Sequence, residues 1–100
     1  EIITMMYPFM TLNDDTEIVH SEMKEDGTVK VYIETPDEKD GFHNMTCFLP
    51  SYKIVENNGY SSEEVDKFME IIKSTAHLII ELSKERGFEL IYRKKVFQSS

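Results

Sequence analysis

The chain has 100 residues, of which 40% are hydrophobic and 30% are charged, and its formal net charge at pH 7 is −8. This length suits a single domain with a core of ordinary size, and the hydrophobic content excludes a wholly disordered chain. Acidic residues outnumber basic ones by 19 to 11. The surface should therefore repel nucleic acids and anionic membranes, and we expect direct binding to neither.

The cysteine content and the hydropathy pattern indicate a compartment. A single cysteine allows no internal disulfide, which argues against a secreted scaffold stapled by disulfides. No apolar run approaches the roughly 18 residues that a bilayer span requires, and no signal peptide is expected at the start of the chain. These features predict a cytoplasmic protein that neither spans nor binds a membrane.

The first half of the chain predicts a series of strands. Residues 4–11 are apolar, and Pro8 either confines this strand to the edge of a sheet or interrupts it, because proline cannot donate a ladder hydrogen bond. Residues 17–24 and 28–34 are separated by a polar turn and form a hairpin. The next predicted strand covers residues 42–49, whose alternating positions carry large apolar groups on both faces, as an inner strand requires.

The turn around Gly27 sets the register of the predicted hairpin. A two-residue loop would pair Met23 with Lys30 and place His20 on the apolar face of the strand. A three-residue loop, with Gly27 in the left-handed region, pairs Met23 with Val29 and turns His20 to the other face. The second register gathers the apolar side chains on one face, so we predict the three-residue loop.

A long helix is predicted for residues 61–86. Ser61 and Glu64 form an S-x-x-E capping box, and apolar side chains then recur at spacings of three and four as far as Leu82. Gly87 follows basic residues and is the expected stop signal.

Together these elements predict an α+β fold, in which one long C-terminal helix packs on one face of a mainly antiparallel four-stranded sheet. Residues 52–55 and 88–92 could add short strands. We predict one domain over residues 1–92 and a flexible basic tail over residues 93–100. The predicted core consists of Val19, Met23, Val29, Val31, Ile33, Met45, Cys47, Leu49, Phe68, Ile72, Ala76 and Ile79.

The stretch DGFHNMTCF brings Asp40, His43 and the only cysteine close together in sequence. On a strand His43 and Cys47 share a face but lie about 13 Å apart at roughly 3.3 Å per residue, so they cannot contact each other. A free cysteine is among the most buried residue types and packs as a small hydrophobe. We therefore interpret Cys47 as core, and a reactive cluster of His20, His43 and Cys47 is the alternative.

The common spacings of metal, phosphate and nucleophile sites do not occur in this sequence. The acidic stretch PDEKDG lacks the alternating ligands and the distal glutamate of a calcium loop. The sequence therefore predicts no catalytic residue, metal or cofactor.

Two surface features favour a protein partner. The helix carries more apolar side chains than one packing seam requires, which favours self-association as a homodimer, and the loop before the fourth strand is acidic. These surfaces consist of Ile71, Leu78 and Ile80 on the helix and Asp37, Glu38 and Asp40 in the loop.

The segments YPFM, EIVHSEMKEDGTVKVYIE, DGFHNMTCFLPSY and IKSTAHLII resemble a group of short proteins of Firmicute bacteria without an established activity, over roughly residues 5–88. The order of strands followed by one helix is also similar to the HicB-type antitoxin partner domain, although the glycine-rich and aromatic strand pattern of that family is absent here. Neither resemblance carries site residues across. Altogether the sequence favours a non-catalytic bacterial interaction module that self-associates. The alternatives are an antitoxin-like or inhibitory acidic partner of a basic protein, and a small metal- or thiol-dependent enzyme.

Overall fold

A computed structural model of the chain describes the backbone of residues 5–99 and the side chains of residues 5–85. The strands form one antiparallel sheet in chain order, and the helix packs on one of its faces. The predicted α+β class is confirmed, but the sheet has five strands rather than four. The elements are β1 (Met6–Thr11), β2 (Glu17–Ser21), β3 (Val29–Asp37), β4 (Gly41–Leu49), β5 (Lys53–Asn58) and α1 (Ser62–Ser99).

The fifth strand, β5, includes most of residues 52–55, which the sequence predicted as a possible short strand, and it continues to Asn58. A turn after Pro50 reverses the chain, with Tyr52 at a φ of 61°, and β5 then pairs with β4. The predicted edge position of β1 is confirmed, since β1 is an outer strand and Pro8 lies on it. The polar connection between β3 and β4 is shorter than predicted, because Pro36 still pairs with Phe42 across the hairpin.

The tip of the β2–β3 hairpin forms as predicted. The Lys24 N–H donates to the Thr28 carbonyl at 2.9 Å, which closes a loop of three residues. Gly27 has a φ of 83°, the left-handed conformation that glycine adopts without steric cost.

Below the tip the register differs from the prediction by one residue. His20 lies opposite Val31, where the prediction placed Ser21. The Lys30 N–H donates to the side-chain Oγ of Ser21 at 2.9 Å, so a hydroxyl takes the place of a ladder carbonyl and β2 contains one extra residue. Because side chains alternate along a strand, a slip of one residue exchanges its two faces. The expectation that His20 lies on the less apolar face is therefore wrong.

The core lies between α1 and the face of the sheet that carries Val31 and Cys47. All predicted core residues are buried except Val19 and Met23, which are only partly buried. The slip in β2 explains the first exception, because it turns Ile18 inward in place of Val19. The buried hydrophobic residues are Ile18, Val29, Val31, Ile33, Met45, Cys47, Leu49, Tyr60, Phe68, Ile72, Ala76 and Ile79.

The start of α1 confirms the predicted capping box. The Ser61 N–H donates to Glu64 Oε1 at 3.0 Å, and the Glu64 N–H donates to Ser61 Oγ at 3.2 Å. These two bonds satisfy donors that the first turn of a helix leaves without partners.

The end of α1 differs from the prediction. The backbone stays helical through Gly87 and to Ser99, so the stop at Gly87 and the strand at residues 88–92 are wrong. Glycine within a helix costs only about 1 kcal/mol relative to alanine, and the residues around Gly87 are good helix formers. The side chains of the predicted tail, residues 93–100, lie outside the described part. No helix among the described residues combines the length and apolar character needed to cross a membrane.

Candidate functional site

The structure separates the three residues of the alternative reactive cluster. His20 and Cys47 both lie opposite Val31, on β2 and β4 respectively, so β3 runs between them. Two strand spacings of about 4.8 Å put their Cα atoms roughly 10 Å apart. His43 lies four residues before Cys47 on β4 and belongs to a different environment. The structure therefore does not bring together a cysteine–histidine pair from these residues.

His20 connects the sheet to the helix. Its Nδ1 lies 2.8 Å from the Ser21 carbonyl and 3.1 Å from Ser83 Oγ, and the Ser83 hydroxyl donates to the Ile79 carbonyl at 2.7 Å. Since the proton of Ser83 is used and a carbonyl can only accept, Nδ1 carries a proton and donates it. The side chain of His20 is 1% exposed. Its position is that of a satisfied core residue.

Cys47 is fully buried, and burial raises the pKa of its thiol to about 11. At pH 8 such a pKa leaves only about one thiol in a thousand as the nucleophilic thiolate. We therefore expect Cys47 to react very slowly with a chromogenic disulfide reagent in the native protein. The same titration in denaturant should show one rapidly reacting thiol per chain, and rapid reaction of the native protein would contradict this account.

A different cluster forms at the end of the β3–β4 hairpin. His43 Nε2 lies 3.1 Å from Asp40 Oδ2 and 3.8 Å from Asp37 Oδ2. One ligand atom from each of these three side chains lies within 4.8 Å of the others. The sequence predicted Asp37 and Asp40 as part of an acidic interaction surface and His43 as part of the alternative reactive cluster, and it did not predict the three as one site. The signal was their D-x-x-D-x-x-H spacing around a hairpin end, which brings both carboxylates back to the histidine.

His43 is held in a fixed orientation. Its ring meets the ring of Tyr60 edge to face, with centroids 5.7 Å apart and planes at 81°. A Cβ on Gly59 would collide with the imidazole, so only glycine fits beneath it. The imidazole therefore cannot move far without disturbing its support.

Tyr60 links this cluster to the core. Its ring packs edge to face on Phe68 of α1 with centroids 4.8 Å apart, and its hydroxyl lies 2.7 Å from Thr35 Oγ1. Thr35 Oγ1 lies in turn 2.6 Å from Thr16 Oγ1 on the other side. Burial raises the pKa of the Tyr60 hydroxyl, which therefore stays protonated. The support of His43 is thus built into the packing of α1 against the sheet.

The predicted interaction residues on α1 differ in exposure. Ile71 and Ile80 are partly buried and pack against the core, whereas Leu78 is 49% exposed. Of the acidic loop residues, Glu38 is exposed, and Asp37 and Asp40 belong to the cluster with His43.

An acidic cleft of about 290 Å³ opens beside the same hairpin. Glu17 and Glu34 lie directly opposite each other in it, an arrangement that is unfavourable for like charges. Phe42, which is 55% exposed, adds an aromatic surface. This combination suits a basic side chain. The cleft is lined by Thr11, Asp15, Glu17, Glu34, Pro36 and Phe42.

The most exposed strand is β5, at the outer edge of the sheet. All of its six residues are exposed. They include two adjacent β-branched side chains, Ile54 at 38% and Val55 at 52% exposure. An outer strand that carries exposed apolar side chains is typical of a sheet edge to which another strand can be added.

Comparison of the chain with models of protein families, with curated proteins and with solved structures finds no match.

Proposed function

We propose that the chain is a non-catalytic protein-interaction module that forms a homodimer by pairing β5 with β5 of a second copy. The observation that carries this proposal is the outer position of β5 together with its exposed Ile54 and Val55. The outer edge of β5 pairs with no other strand in the described part of the chain. An unpaired edge presents backbone N–H and C=O groups that can bond to another strand.

The residues of β5 are complementary to themselves. In an antiparallel pair with the two-fold axis between Ile54 and Val55, Lys53 of one copy lies opposite Glu56 of the other. Ile54 then lies opposite Val55 of the second copy, and every contact occurs twice, as in an isologous dimer. Opposite charges and β-branched side chains directly across a strand pair are both stabilising. Self-complementarity of this kind is the argument for a second copy rather than an unrelated partner.

A bulge in β5 directs the charges to one face. Residues three apart on a regular strand point to opposite faces of the sheet. Here Lys53 lies opposite Phe48 and Glu56 lies opposite Thr46, because the register shifts between Thr46 and Cys47. Thr46 and Phe48 are two apart on β4 and share the face away from α1. Lys53 and Glu56 therefore share that face as well, and both ion pairs of the proposed dimer would form on it.

We expect the dimer to be reversible. Each charged or apolar cross-strand pair contributes about 0.2–1 kcal/mol, which supports a dimer that dissociates on dilution. The expected behaviour of the wild-type chain is a rise in average mass with concentration at low ionic strength.

Lys53→Glu should weaken the dimer about tenfold or more. The substitution places two carboxylates opposite each other at both symmetric contacts, so two attractions become repulsions, and about 1.4 kcal/mol corresponds to a factor of ten. Sedimentation equilibrium over a range of concentrations measures the change. Lys84→Glu, on the exposed surface of α1, makes the same change in net charge and should leave the dimer unaffected. A wild-type chain that stays monomeric at the highest concentration would refute the proposal.

A further inference from the structure

We propose that Asp37, Asp40 and His43 form a binding site for a divalent transition-metal ion of the Zn²⁺ class. The site lies at the end of the β3–β4 hairpin and shares no residue with β5. It therefore stands or falls independently of the proposed dimer.

The ligand atoms already have suitable separations. Zn²⁺ binds histidine nitrogen and carboxylate oxygen at about 2.0–2.2 Å with tetrahedral geometry, which separates neighbouring ligand atoms by roughly 3.4 Å. His43 Nε2 lies 3.1 Å from Asp40 Oδ2 and 3.8 Å from Asp37 Oδ2. These two distances bracket the required separation, and the ligand oxygens of Asp37 and Asp40 lie within 4.8 Å of each other. An ion could be bound after side-chain adjustments of a few tenths of an ångström.

The charges of the site favour a cation. Two carboxylates lie close to one imidazole, and in the described part of the chain neither carboxylate forms an ion pair with a lysine or an arginine. With an unprotonated imidazole, which metal binding requires, the three side chains carry a formal charge of about −2. A divalent ion would neutralise this charge and relieve the repulsion between Asp37 and Asp40.

The ligands are partly preorganised. Tyr60 and Gly59 fix the ring of His43, as described above. The backbone N–H groups of Lys39 and Asp40 donate to Asp37 Oδ2 at 3.1 and 2.9 Å. These two bonds use the lone pairs of Oδ2, so Asp37 would coordinate an ion through Oδ1 of the same carboxylate, or through Oδ2 in place of one of the two bonds. Preorganisation of this kind lowers the ordering cost of binding.

The donor set determines the class of ion. Imidazole suits Zn²⁺, Cu²⁺ and Ni²⁺, whereas Mg²⁺ and Ca²⁺ prefer sites built only from oxygen. Three protein ligands leave one tetrahedral position for water, and the side chain of Asp40 is 67% exposed, so water can reach the ion. A bound ion would join β3, the hairpin loop and β4, and should stabilise this end of the sheet.

The test is a titration of the untagged full-length chain, first treated with a chelator, with ZnCl₂ by isothermal calorimetry. We expect one Zn²⁺ per chain and an affinity at least tenfold lower for Asp40→Asn, which removes an exposed ligand without disturbing the core. Asp66→Asn, at an exposed position in the first part of α1, should bind as the wild type does. A parallel pair, His43→Gln against His77→Gln at an exposed helix position, should give the same contrast.

Several outcomes would overturn the site. The wild-type chain could show no saturable binding of Zn²⁺ at millimolar concentration, or Asp40→Asn and His43→Gln could both bind as tightly as the wild type. Displacement of Zn²⁺ by an equal concentration of Mg²⁺ would refute the proposed class of ion. Circular dichroism of each variant shows whether it is folded, and Asp40→Asn decides the question if His43→Gln does not fold.

Discussion

Replacing Phe68 with alanine should lower the free energy of unfolding by about 3–5 kcal/mol, the range measured for buried phenylalanines. The side chain is 1% exposed and packs edge to face on Tyr60, with centroids 4.8 Å apart. Its removal takes apolar area out of the core and leaves a cavity between α1 and the sheet. Urea unfolding followed by far-ultraviolet circular dichroism measures the loss.

Leu78→Ala on the same helix is the control for Phe68. Leu78 is 49% exposed, so its truncation should change the free energy of unfolding by less than about 1 kcal/mol. If both variants lost the same stability, the assigned buried face of α1 would be wrong. Leu78→Ala also distinguishes dimerisation through α1 from dimerisation through β5, because a weaker dimer in this variant would indicate that α1 forms the interface.

Replacing Gly59 with alanine should cost about 2–4 kcal/mol. Gly59 has a φ of 102°, which a residue with a side chain adopts only with strain, and a Cβ there would collide with the ring of His43. The free energy of unfolding measures the total cost. Loss of Zn²⁺ affinity in the same variant would be expected if the site requires the present position of His43.

Gly27→Ala distinguishes the backbone strain of a positive φ from the collision with His43. Gly27 has a φ of 83° with open space around it, so its substitution adds conformational strain of about 1 kcal/mol and no collision. A double-mutant cycle with His43→Ala is a second check, because removal of the ring should restore part of the stability lost in Gly59→Ala. Equal losses for Gly27→Ala and Gly59→Ala would show that His43 does not pack against Gly59.

Periodicity was sufficient to predict most of the fold. The alternation of Met45, Cys47 and Leu49 on β4, and the spacing of Phe68 and Ile72 on α1, identified the two surfaces that meet in the core. These signals are repeated along an element and depend little on local detail. The capping box at Ser61 was equally clear, because it needs only two side chains at a fixed spacing.

The parts that sequence could not predict depend on single contacts. The register of β2 slips by one residue where the hydroxyl of Ser21 accepts the hydrogen bond of the Lys30 N–H. The predicted register assumed that backbone carbonyls accept all hydrogen bonds between the two strands. With this slip, the side chain of His20 lies on the core face of β2 rather than on the opposite face. The continuation of α1 past Gly87 similarly reflects the helix formers around it, whose combined preference outweighs one glycine.

The candidate sites were visible in sequence only as separate residues. Asp37, Asp40 and His43 were each considered, but the acidic loop was expected to be longer, and a long loop would not bring the carboxylates to the histidine. The loop is shorter in the structure than predicted, because Pro36 pairs with Phe42 and the two strands extend further. The complementarity of β5 was hidden for a similar reason, since only its bulge places Lys53 and Glu56 on one face.

The dimer through β5 is tested most directly by mixing two variants that should each fail to associate. Lys53→Glu and Glu56→Lys each oppose like charges at both symmetric contacts when paired with themselves, but they oppose unlike charges when paired with each other. Sedimentation should show monomers for each variant alone and a dimer for the equimolar mixture. If the mixture sediments as the sum of two monomers while the wild type dimerises, β5 is not the interface.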